Sequence, residues 1–179
     1  MHLADLAGRP LIAFLIERLR RCDLVDEIIV ATTDQPEDDA LAALAQSIGV
    51  HVVRGSEQDV LARFALAAES TTASTFIRVT GDCPFVDPSL IKQVIVNFQR
   101  QRLDYLSNCF PPSYPDGLDL EIFKRESLFR ADSECSIKEQ REHVTPWMRE
   151  SGLLHIGNVQ CTEDLSSMRW TVDEPEDME

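Results

Sequence analysis

The chain has 179 residues, with 31 Asp and Glu against 17 Lys and Arg, so its formal net charge at pH 7 is −14. This length favours a single domain, and a hydrophobic content of 44% is enough to bury a core. The acidic composition argues against DNA or RNA as a partner, because such binding needs clustered Lys and Arg. The longest apolar runs, such as 11–16, are too short to span a bilayer, and Asp5 and Arg9 speak against a signal peptide. Five cysteines without a Cys-x-x-Cys pair predict reduced thiols in a cytoplasmic protein rather than a zinc site.

Strand and helix patterns alternate through the first half of the chain. Short apolar runs at 28–31, 50–53 and 75–80 are typical of buried strands, and apolar stripes with helical spacing lie between them. Four helix starts are predicted, at Pro10, at Asp34 with Glu37 as a capping box, at a Ser56 cap, and at Asp87 before Pro88. This alternation predicts an α/β fold with a mainly parallel sheet.

The pattern changes after residue 104. A Pro- and Gly-rich loop over 111–117 is followed by an alternating run at 118–123, which predicts a partly exposed strand. Helical patches are predicted at 126–131 and after Arg141. Late strands are predicted at 154–159 and 169–172, and a further helix is predicted to start at Asp173.

Acidic turns follow several of these strands, and open α/β sheets bind ligands beyond the carboxyl ends of their strands. Asp82 and Asp173 each come directly after an apolar strand and before a Pro-containing turn. Two carboxylates that converge from separate strands can hold Mg²⁺, which prefers oxygen ligands. The alternative interpretation is that each Asp caps a helix or forms a turn, as Asp commonly does.

Other polar residues have both a functional and a structural interpretation. His143 lies between charged neighbours and can act as a general base, or it can simply pack and hydrogen-bond. The acidic cluster of Asp116, Asp119 and Glu121 is expected to be a solvated sheet edge, except for the two Asp residues beside Gly117. Three arginines near strand ends can bind phosphate or carboxylate groups or can pair with the abundant acids; they are Arg54, Arg63 and Arg78.

Several well-known motifs are absent from the sequence. No Gly-x-Gly-x-x-Gly follows a strand, so a dinucleotide-dependent dehydrogenase loses its main support. The sequence also has no Walker loop and no Gly-x-Ser-x-Gly motif, which argues against a P-loop NTPase and an α/β-hydrolase.

Seven segments in order carry a family resemblance: 8–11, 29–39, 54–63, 78–88, 114–121, 141–146 and 169–177. The most specific are Arg78-Val-Thr-Gly-Asp-Cys-Pro84 and Arg169-Trp-Thr-Val-Asp173. In these motifs the chain resembles the cytidylyltransferase family that includes the spore coat polysaccharide biosynthesis protein F group. Acylneuraminate and deoxyoctulosonate cytidylyltransferases are its distant relatives. The resemblance covers nearly the whole chain but does not identify the sugar.

The resemblance implies a single domain over 1–179. Its fold would be a three-layer α/β/α sandwich of the nucleotide-diphospho-sugar transferase, glycosyltransferase-A-like kind. The partners would be CTP and a sugar, whose hydroxyl attacks the α-phosphate while pyrophosphate leaves, with Mg²⁺ as cofactor and a homodimer as a further expectation. Asp82 and Asp173 match the family's catalytic, metal-binding carboxylates. The resemblance assigns nucleotide binding to Arg54, Arg63, Thr80 and Gly81, and sugar binding to Asp116, Asp119, Arg141 and His143.

The resemblance also implies a missing segment. Relatives open with a strand in the middle of the sheet and a loop with Gly, Arg and Lys that holds the nucleotide, and Met1 falls at about the end of that loop. We therefore expect a fragment whose strands near 28–32 and 76–80 run parallel on either side of a strand-wide gap. The implied function is sugar cytidylyl transfer for polysaccharide or surface glycan biosynthesis in the cytoplasm. The alternatives are a non-catalytic remnant that binds a partner and a glycosyltransferase that uses a nucleotide sugar.

Overall fold

The computed structural model describes residues 3–6, 8–174 and 177. Helices and strands alternate through the first half of the chain, as the sequence pattern predicts. The described part of the chain has eight strands, which are β1 (Asp5–Leu6), β2 (Arg9–Pro10), β3 (Ile29–Thr33), β4 (His51–Gly55), β5 (Thr75–Arg78), β6 (Tyr105–Ser107), β7 (Glu121–Lys124) and β8 (Ile156–Asn158). Its helices are α1 (Leu11–Leu19), α2 (Asp39–Ser47), α3 (Val60–Glu69), α4 (Pro88–Gln101), α5 (Arg125–Glu134), α6 (Lys138–His143) and α7 (Pro146–Glu150).

The strands form separate sheets. β1 and β2 make a short hairpin, β3 and β4 pair in parallel, and the third sheet has the order β5-β7-β6-β8. In that sheet β7 is antiparallel to both of its neighbours, while β6 and β8 are parallel. The pairing is therefore mixed rather than mainly parallel. The chain reaches β7 from β6 through the loop 108–120 without a crossover helix, and such a connection joins antiparallel strands.

A cleft of about 980 Å³ separates the two larger sheets. It is lined by the consecutive residues 24–33 on one side and 71–82 on the other, so the open edges of β3 and β5 face each other across it. Thr71 Oγ1 donates to Glu27 Oε2 at 2.7 Å, which places the segments entering the two strands side by side. Glu27 and Thr71 each come shortly before a strand, so their contact is the one expected if β3 and β5 run in the same direction. Between the described residues of β3 and β5 no ladder forms, and this agrees with the expected gap.

The helices form because their apolar stripes face the sheets. In α1 the residues spaced for one face, Leu11, Ile12, Leu15 and Ile16, are all buried. α4 buries five apolar residues in the same way and joins α1 in one core with β6 and β7. α4 also begins as predicted, because Asp87 caps it by accepting from Ser89 N at 2.8 Å and Pro88 occupies its first turn.

Three local predictions differ from the structure. Asp34 does not cap a helix; a 3-10 turn over Pro36–Asp38 precedes α2, whose N-cap has no side-chain hydrogen bond. The cap of α3 is Asp59, which accepts from Ala62 N at 2.9 Å, because Ser56 is used one turn earlier to accept from Asp59 N. The segment 169–172 makes a single bridge, between Arg169 and Asp116, instead of a strand.

The predicted helix after Asp173 falls partly on residues 175, 176, 178 and 179, which lie outside the described residues. In the part of the chain that the structure describes, no helix has the length and apolarity needed to cross a membrane.

Candidate functional site

The candidate site lies where the cleft meets a second cavity, beyond the carboxyl end of β5. This second cavity, called the pocket below, has a volume of about 600 Å³ and is enclosed by β5, β7, the loop after β6, and helices α6 and α7. Arg78 and Thr80 line both cavities, so they form the boundary between them. Gly81 and Asp82 line the cleft just beyond this boundary.

Asp82 lies in a tight turn directly after β5. Cys83 N donates to the Thr80 carbonyl at 3.2 Å, and the Cys83 thiol lies 3.0 Å from Thr80 Oγ1 and 3.6 Å from Asp82 Oδ1. Burial raises the pKa of this thiol to about 12, so it is protonated at neutral pH and supports the turn without acting as a nucleophile. The Asp82 carboxylate is left half-buried at the edge of the cleft.

The loop from Asp116 to Asp119 approaches the same turn from a different part of the chain. Asp116 N donates to the Met168 carbonyl at 3.0 Å, and Trp170 N donates to the Asp116 carbonyl at 2.6 Å. Gly117 makes this approach feasible, because a Cβ there would lie 2.6 Å from Thr171 N and its φ is +101°. The pKa of Asp119 is raised, first by burial and then by the nearby carboxylates of Asp116, Glu121 and Asp82.

Asp173 comes to this edge through its backbone. Val172 N donates to the Asp82 carbonyl at 2.8 Å, so the segment containing Asp173 runs beside the Asp82 turn. The Asp173 carboxylate itself is exposed and accepts from Arg169 Nη2. Arg169 also pairs with Asp177 at 2.5 Å. The structure thus places Asp82 and Asp173 on adjacent segments, with one of the two carboxylates engaged by an arginine.

The oxygen ligands at this edge suit Mg²⁺. Among the described residues no group of three or more His, Cys, Asp or Glu is already arranged for a metal ion. Mg²⁺ does not require one, because it commonly uses one or two carboxylates and completes its shell with water and substrate phosphates. Asp82 is available for this role, while Asp173 would first have to release Arg169.

Two buried side-chain polar atoms have no hydrogen-bond partner in the described chain. They are Arg63 Nε and Thr171 Oγ1. Arg63 lines the cleft, where Nη1 donates to the Ser56 carbonyl at 2.6 Å while burial lowers the pKa of the guanidinium. A buried donor that lacks a protein acceptor is costly unless a ligand or water accepts from it. This is the observation in the cleft that fits an anionic ligand.

Glu121 is the centre of the pocket. Its Oε2 accepts from Arg78 Nη1 at 2.6 Å, and its Oε1 accepts from Tyr105 OH at 2.5 Å and from Thr145 Oγ1 at 2.6 Å. Burial and the Glu121 charge raise the pKa of Tyr105, so the phenol keeps the proton it donates. The expectation that Glu121 belongs to a solvated edge is wrong. β7 is flanked by β5 and β6, and only 5% of the Glu121 side chain is exposed.

A strained turn shapes the far wall of the pocket. Val144 has φ +70° and ψ −57°, and Thr145 N donates to the His143 carbonyl at 2.8 Å. These values describe a classic γ-turn, which is rare for a β-branched residue. The turn directs Thr145 Oγ1 inward to Glu121 and leaves His143 exposed on the pocket wall. His143 is thus beside the pocket.

Two of the predicted site arginines hold the fold together instead of lining a cavity. Arg141 donates to Asp59 Oδ2 at 2.8 Å, to Asp132 Oδ1 at 2.5 Å and to the carbonyls of Asp132 and Cys135. Arg54 likewise donates to Asp39 at 2.6 Å and to the carbonyls of Thr33, the last residue of β3, and Gln35. Neither residue lines the cleft or the pocket. Their donors are used within the protein, so the structure gives them positioning roles.

Sequence reasoning did not single out the pocket residues Tyr105, Thr145, Arg149 and Phe110. Arg149 stacks on Phe110, with its guanidinium carbon 3.5 Å from the ring centroid. Tyr105 and Thr145 could have been found only through Glu121, whose strand register places it opposite Arg78 and Ser107. No local pattern marks Arg149, because it lies on a five-residue helix far from the strand ends.

The mixed α/β fold, with carboxylates beyond the strand ends and two cavities that share a boundary, defines a nucleotide-sugar transferase architecture. A family model described as cytidylyltransferase matches residues 2–173. The chain therefore belongs to the cytidylyltransferase family, and it has the nucleotide-sugar transferase fold of that family.

Two curated relatives match most of the chain. A protein of Methanocaldococcus jannaschii, named uncharacterized protein MJ1063, is 36% identical over 174 residues, which cover 96% of this chain and 70% of that protein. The spore coat polysaccharide biosynthesis protein SpsF of Bacillus subtilis is 32% identical, with 99% of this chain and 76% of SpsF covered.

Comparison with solved structures supports the same family and fold. A cytidylyltransferase from Leptospira borgpetersenii superposes with a TM-score of 0.93 at 30% identity, covering 98% of this chain and 75% of that chain. A CMP:2-keto-3-deoxy-manno-octonic acid synthetase solved with CTP has a TM-score of 0.64 at 18% identity and covers 89% of this chain and 83% of that chain. At that identity the second likeness concerns the fold alone.

Proposed function

We propose that this protein transfers CMP from CTP to a sugar or sugar acid and releases pyrophosphate, for polysaccharide or surface glycan biosynthesis in the cytoplasm. The observation that carries the proposal is the junction of two cavities at Arg78 and Thr80, with Asp82 at the edge. One cavity would hold the nucleotide and the other the sugar, so that the two substrates meet at the carboxylate. Relatives named as a spore coat polysaccharide protein and as 3-deoxy-manno-octulosonate cytidylyltransferases support this assignment.

The reaction needs charge neutralisation and positioning more than covalent help from the protein. In the proposed reaction a hydroxyl oxygen of the sugar attacks the α-phosphorus of CTP and gives up its proton to water. The bond between the α-phosphorus and the oxygen that bridges to the β-phosphate breaks, and pyrophosphate leaves with that oxygen. Arg63 contributes a cation to the cleft, where its buried Nε lacks a protein acceptor. Thr80 and Gly81, which follow β5, are proposed to contact the nucleotide phosphates.

Mg²⁺ is the proposed cofactor, and it would neutralise charge on the triphosphate when bound. Asp82 is the residue best placed to hold it, because its carboxylate is half-buried at the cleft edge beside Gly81. Asp173 is the second proposed ligand, on the segment that Val172 ties to Asp82. Arg169 would then lose its ion pair with Asp173 and keep only its existing contact with Asp177.

The proposed sugar side is the pocket. Asp119 and His143 line it, whereas Asp116 lies just outside on the same loop as Asp119. A cavity of about 600 Å³ is within the size range of small-molecule sites and is large enough for one monosaccharide. Arg141 is proposed to act on this side only indirectly, by holding α6 against α3 through Asp59.

The test is pyrophosphate release from CTP in the presence of a panel of sugars and sugar acids, with and without Mg²⁺. We expect release that depends on both the sugar and the metal, and expect ATP, GTP and UTP to support it less well. CTP binding without release for any sugar would favour the non-catalytic alternative. Consumption of a preformed nucleotide sugar in place of CTP would favour the glycosyltransferase alternative. Analytical ultracentrifugation of the same sample tests the proposed homodimer.

A further inference from the structure

We propose that the outer edge of β8 is a dimerisation surface, and that it takes the β8 strand of a second copy of this chain in antiparallel pairing. One sheet would then run through both copies across a two-fold axis. The inference goes beyond the proposed function, which expects a homodimer but assigns it no surface. It does not depend on the reaction, because no residue of β8 lines the cleft or the pocket.

β8 lies at the end of its sheet and is paired on one side. It is the last strand in the order β5-β7-β6-β8, and its neighbour is β6. On the β6 side Val159 N donates to the Ser107 carbonyl at 2.8 Å. The backbone groups of alternate residues in a strand point the same way, so those of Ile156 and Asn158 point away from β6. No described residue forms a hydrogen bond with these outward groups.

The outward backbone groups of β8 are complementary to themselves. In an antiparallel pair, two residues that face each other exchange both of their hydrogen bonds. A two-fold axis at Gly157 places Ile156 opposite the partner's Asn158, and Asn158 opposite the partner's Ile156. All of the outward N–H and C=O groups of β8 are then satisfied at once. This is the geometry of an isologous interface, in which both copies use the same surface.

Exposed apolar side chains extend this surface at both ends of β8. Leu153 precedes the strand and Ile156 begins it, and they are 52% and 49% exposed. At the other end Asn158 Nδ2 donates to the Pro111 carbonyl at 3.0 Å, beside Phe110, which is 51% exposed. Because the paired strands run in opposite directions, Leu153 of one copy lies near the partner's Phe110. Burial of these side chains adds the apolar area that a strand of three residues lacks.

The charge distribution favours a second copy as the occupant. At a net charge of −14, two copies repel each other over most of their surface. The segment 151–162, which contains β8, has no Asp, Glu, Lys or Arg, and neither does the segment 105–115. These segments lie side by side through the pairing of β6 with β8 and form a surface without formal charge. An acidic chain approaches itself with least repulsion there, whereas a basic partner would be drawn to the acidic remainder.

Sedimentation equilibrium tests the inference without requiring catalysis. We expect a dimer whose population rises with protein concentration. Ile156→Pro should raise its dissociation constant at least about 10-fold, because half of the hydrogen bonds between the copies lose their donor. The substitution leaves the bonds to β6 in place, because Ile156 N points away from β6. Ile156→Lys keeps the N–H but places a charge on the neutral surface, and it should weaken the dimer by a similar factor.

Val96→Lys is the matched control for the added charge. Val96 is 47% exposed, close to the 49% of Ile156, but it lies on α4 rather than on this surface. The control protein should dimerise as the wild type does. Thermal unfolding of the three variants shows whether each of them is folded, so that a loss of the dimer is not confused with a loss of the fold.

Hydrogen exchange in the wild-type protein locates the contact. The amides of Ile156 and Asn158 should exchange more slowly as the protein concentration rises, because pairing between copies protects them. Protection that is independent of concentration would mean that a segment of the same chain covers the edge, and it would overturn the inference.

Three further results would also overturn it: a monomer at every attainable concentration, a dimer that both Ile156 variants form as tightly as the wild type, or equal weakening by Val96→Lys. Pyrophosphate release measured on the same samples keeps the two proposals apart. A monomer that transfers CMP would contradict the dimerisation surface alone, whereas a β8-dependent dimer without release for any sugar would contradict the proposed function alone.

Discussion

Val172 N donates to the carbonyl oxygen of Asp82 at 2.8 Å, and this bond joins the turn after β5 to a segment from the far end of the chain. The contact explains how two carboxylates that are distant in sequence can serve one site. It also shows an asymmetry between them. Asp82 lies at the cleft edge, whereas Asp173 is exposed and bonded to Arg169. Asp82 is therefore the carboxylate whose removal should have the larger effect on a reaction in the cleft.

The first prediction concerns Asp82→Asn. The amide keeps the size of the side chain but removes the negative charge that a metal ion needs, so Mg²⁺-dependent pyrophosphate release should fall by about 100-fold or more. The fold should persist, because the Asp82 carbonyl still accepts from Val172 N. Activity assays measure the loss of pyrophosphate release, and thermal unfolding checks that the fold persists.

Asp23→Asn is the matched control for this charge removal. Asp23 pairs with Lys92 on the surface, where both side chains are more than half exposed, so its loss should leave stability nearly unchanged. Activity of the Asp23→Asn protein should equal that of the wild type. Undiminished pyrophosphate release by Asp82→Asn would remove Asp82 from the mechanism.

The second prediction concerns Gly117, where the loop carrying Asp116 and Asp119 meets 170–171. Gly117→Ala would place a Cβ 2.6 Å from backbone atoms of both Trp170 and Thr171, and these atoms cannot move aside as a flexible side chain can. The positive φ adds a further penalty for any L-residue. We expect a loss of about 3 kcal/mol or more in the free energy of unfolding, measured by urea denaturation.

Gly152→Ala separates the clash from the backbone conformation. Gly152 also has a positive φ, +69°, but a Cβ there would meet nothing within 4 Å. Its substitution should cost only about 1 kcal/mol, the penalty of the left-handed conformation. Equal losses in the two variants would mean that the close approach at Gly117 is not a constraint on the site.

The sequence predicted the parts of this molecule that depend on local patterns. Helix α4 is set by its apolar spacing and by Asp87 before Pro88, both of which are local. The Asp82 turn follows directly from the strand before it. By contrast, the burial of Glu121 depends on β7 lying between β5 and β6, and an alternating run does not reveal which strands will flank it.

The arginines show the same limit more sharply. Four arginines lie near strand or helix ends, and the sequence alone does not show which of them binds an anion. They are Arg54, Arg63, Arg78 and Arg141. In the structure, partners many residues away use the donors of Arg54 and Arg141 but leave those of Arg78 partly free. Arg149 has no distinguishing pattern at all, because its role depends on the position of the Phe110 ring.

The third prediction distinguishes structure from substrate binding at Arg141. Arg141→Met removes hydrogen bonds to Asp59 and Asp132 that tie α6 to α3 and α5. Because the two carboxylates are about one-third exposed, the expected loss is about 2 kcal/mol in the free energy of unfolding, less than for a fully buried pair. The KM for the sugar should not change selectively, since Arg141 does not line the pocket. A rise in that KM with unchanged stability would restore the substrate-binding role.

The same pair gives a pH dependence. Burial raises the pKa of Asp59, but the hydrogen bonds from Arg141 and Ala62 N outweigh it and leave the pKa below its usual value. A carboxyl with a lowered folded pKa contributes stability above its unfolded pKa and loses that contribution as the pH falls. The difference in stability between wild type and Arg141→Met should therefore be full at pH 7 and shrink below about pH 4. A constant difference across this range would mean that the ion pair contributes nothing.

The last prediction concerns the cleft between β3 and β5. Both strands present an open edge to it, and backbone N–H and C=O groups without partners are costly where water is excluded. A chain extended before Met1 by about 15–25 residues, with one apolar strand of ~5–6 residues and a basic loop, should fill the cleft and gain thermal stability. Because the loop adds cations to a protein of charge −14, the extended chain should also bind CTP more tightly in the presence of Mg²⁺.

Proline provides the matched control for the extension. Replacing two alternate residues of the added strand by Pro removes hydrogen-bond donors while keeping the length and the basic loop. If the strand pairs with both edges, the Pro form should lose the gain in melting temperature and most of the gain in CTP affinity, as measured by calorimetric titration. Equal melting temperatures for the three forms would show that the cleft does not accept a strand. Equal CTP affinity with a raised melting temperature would show that a strand completes the sheet but that the nucleotide is held by residues already present, with Arg63 the first to test.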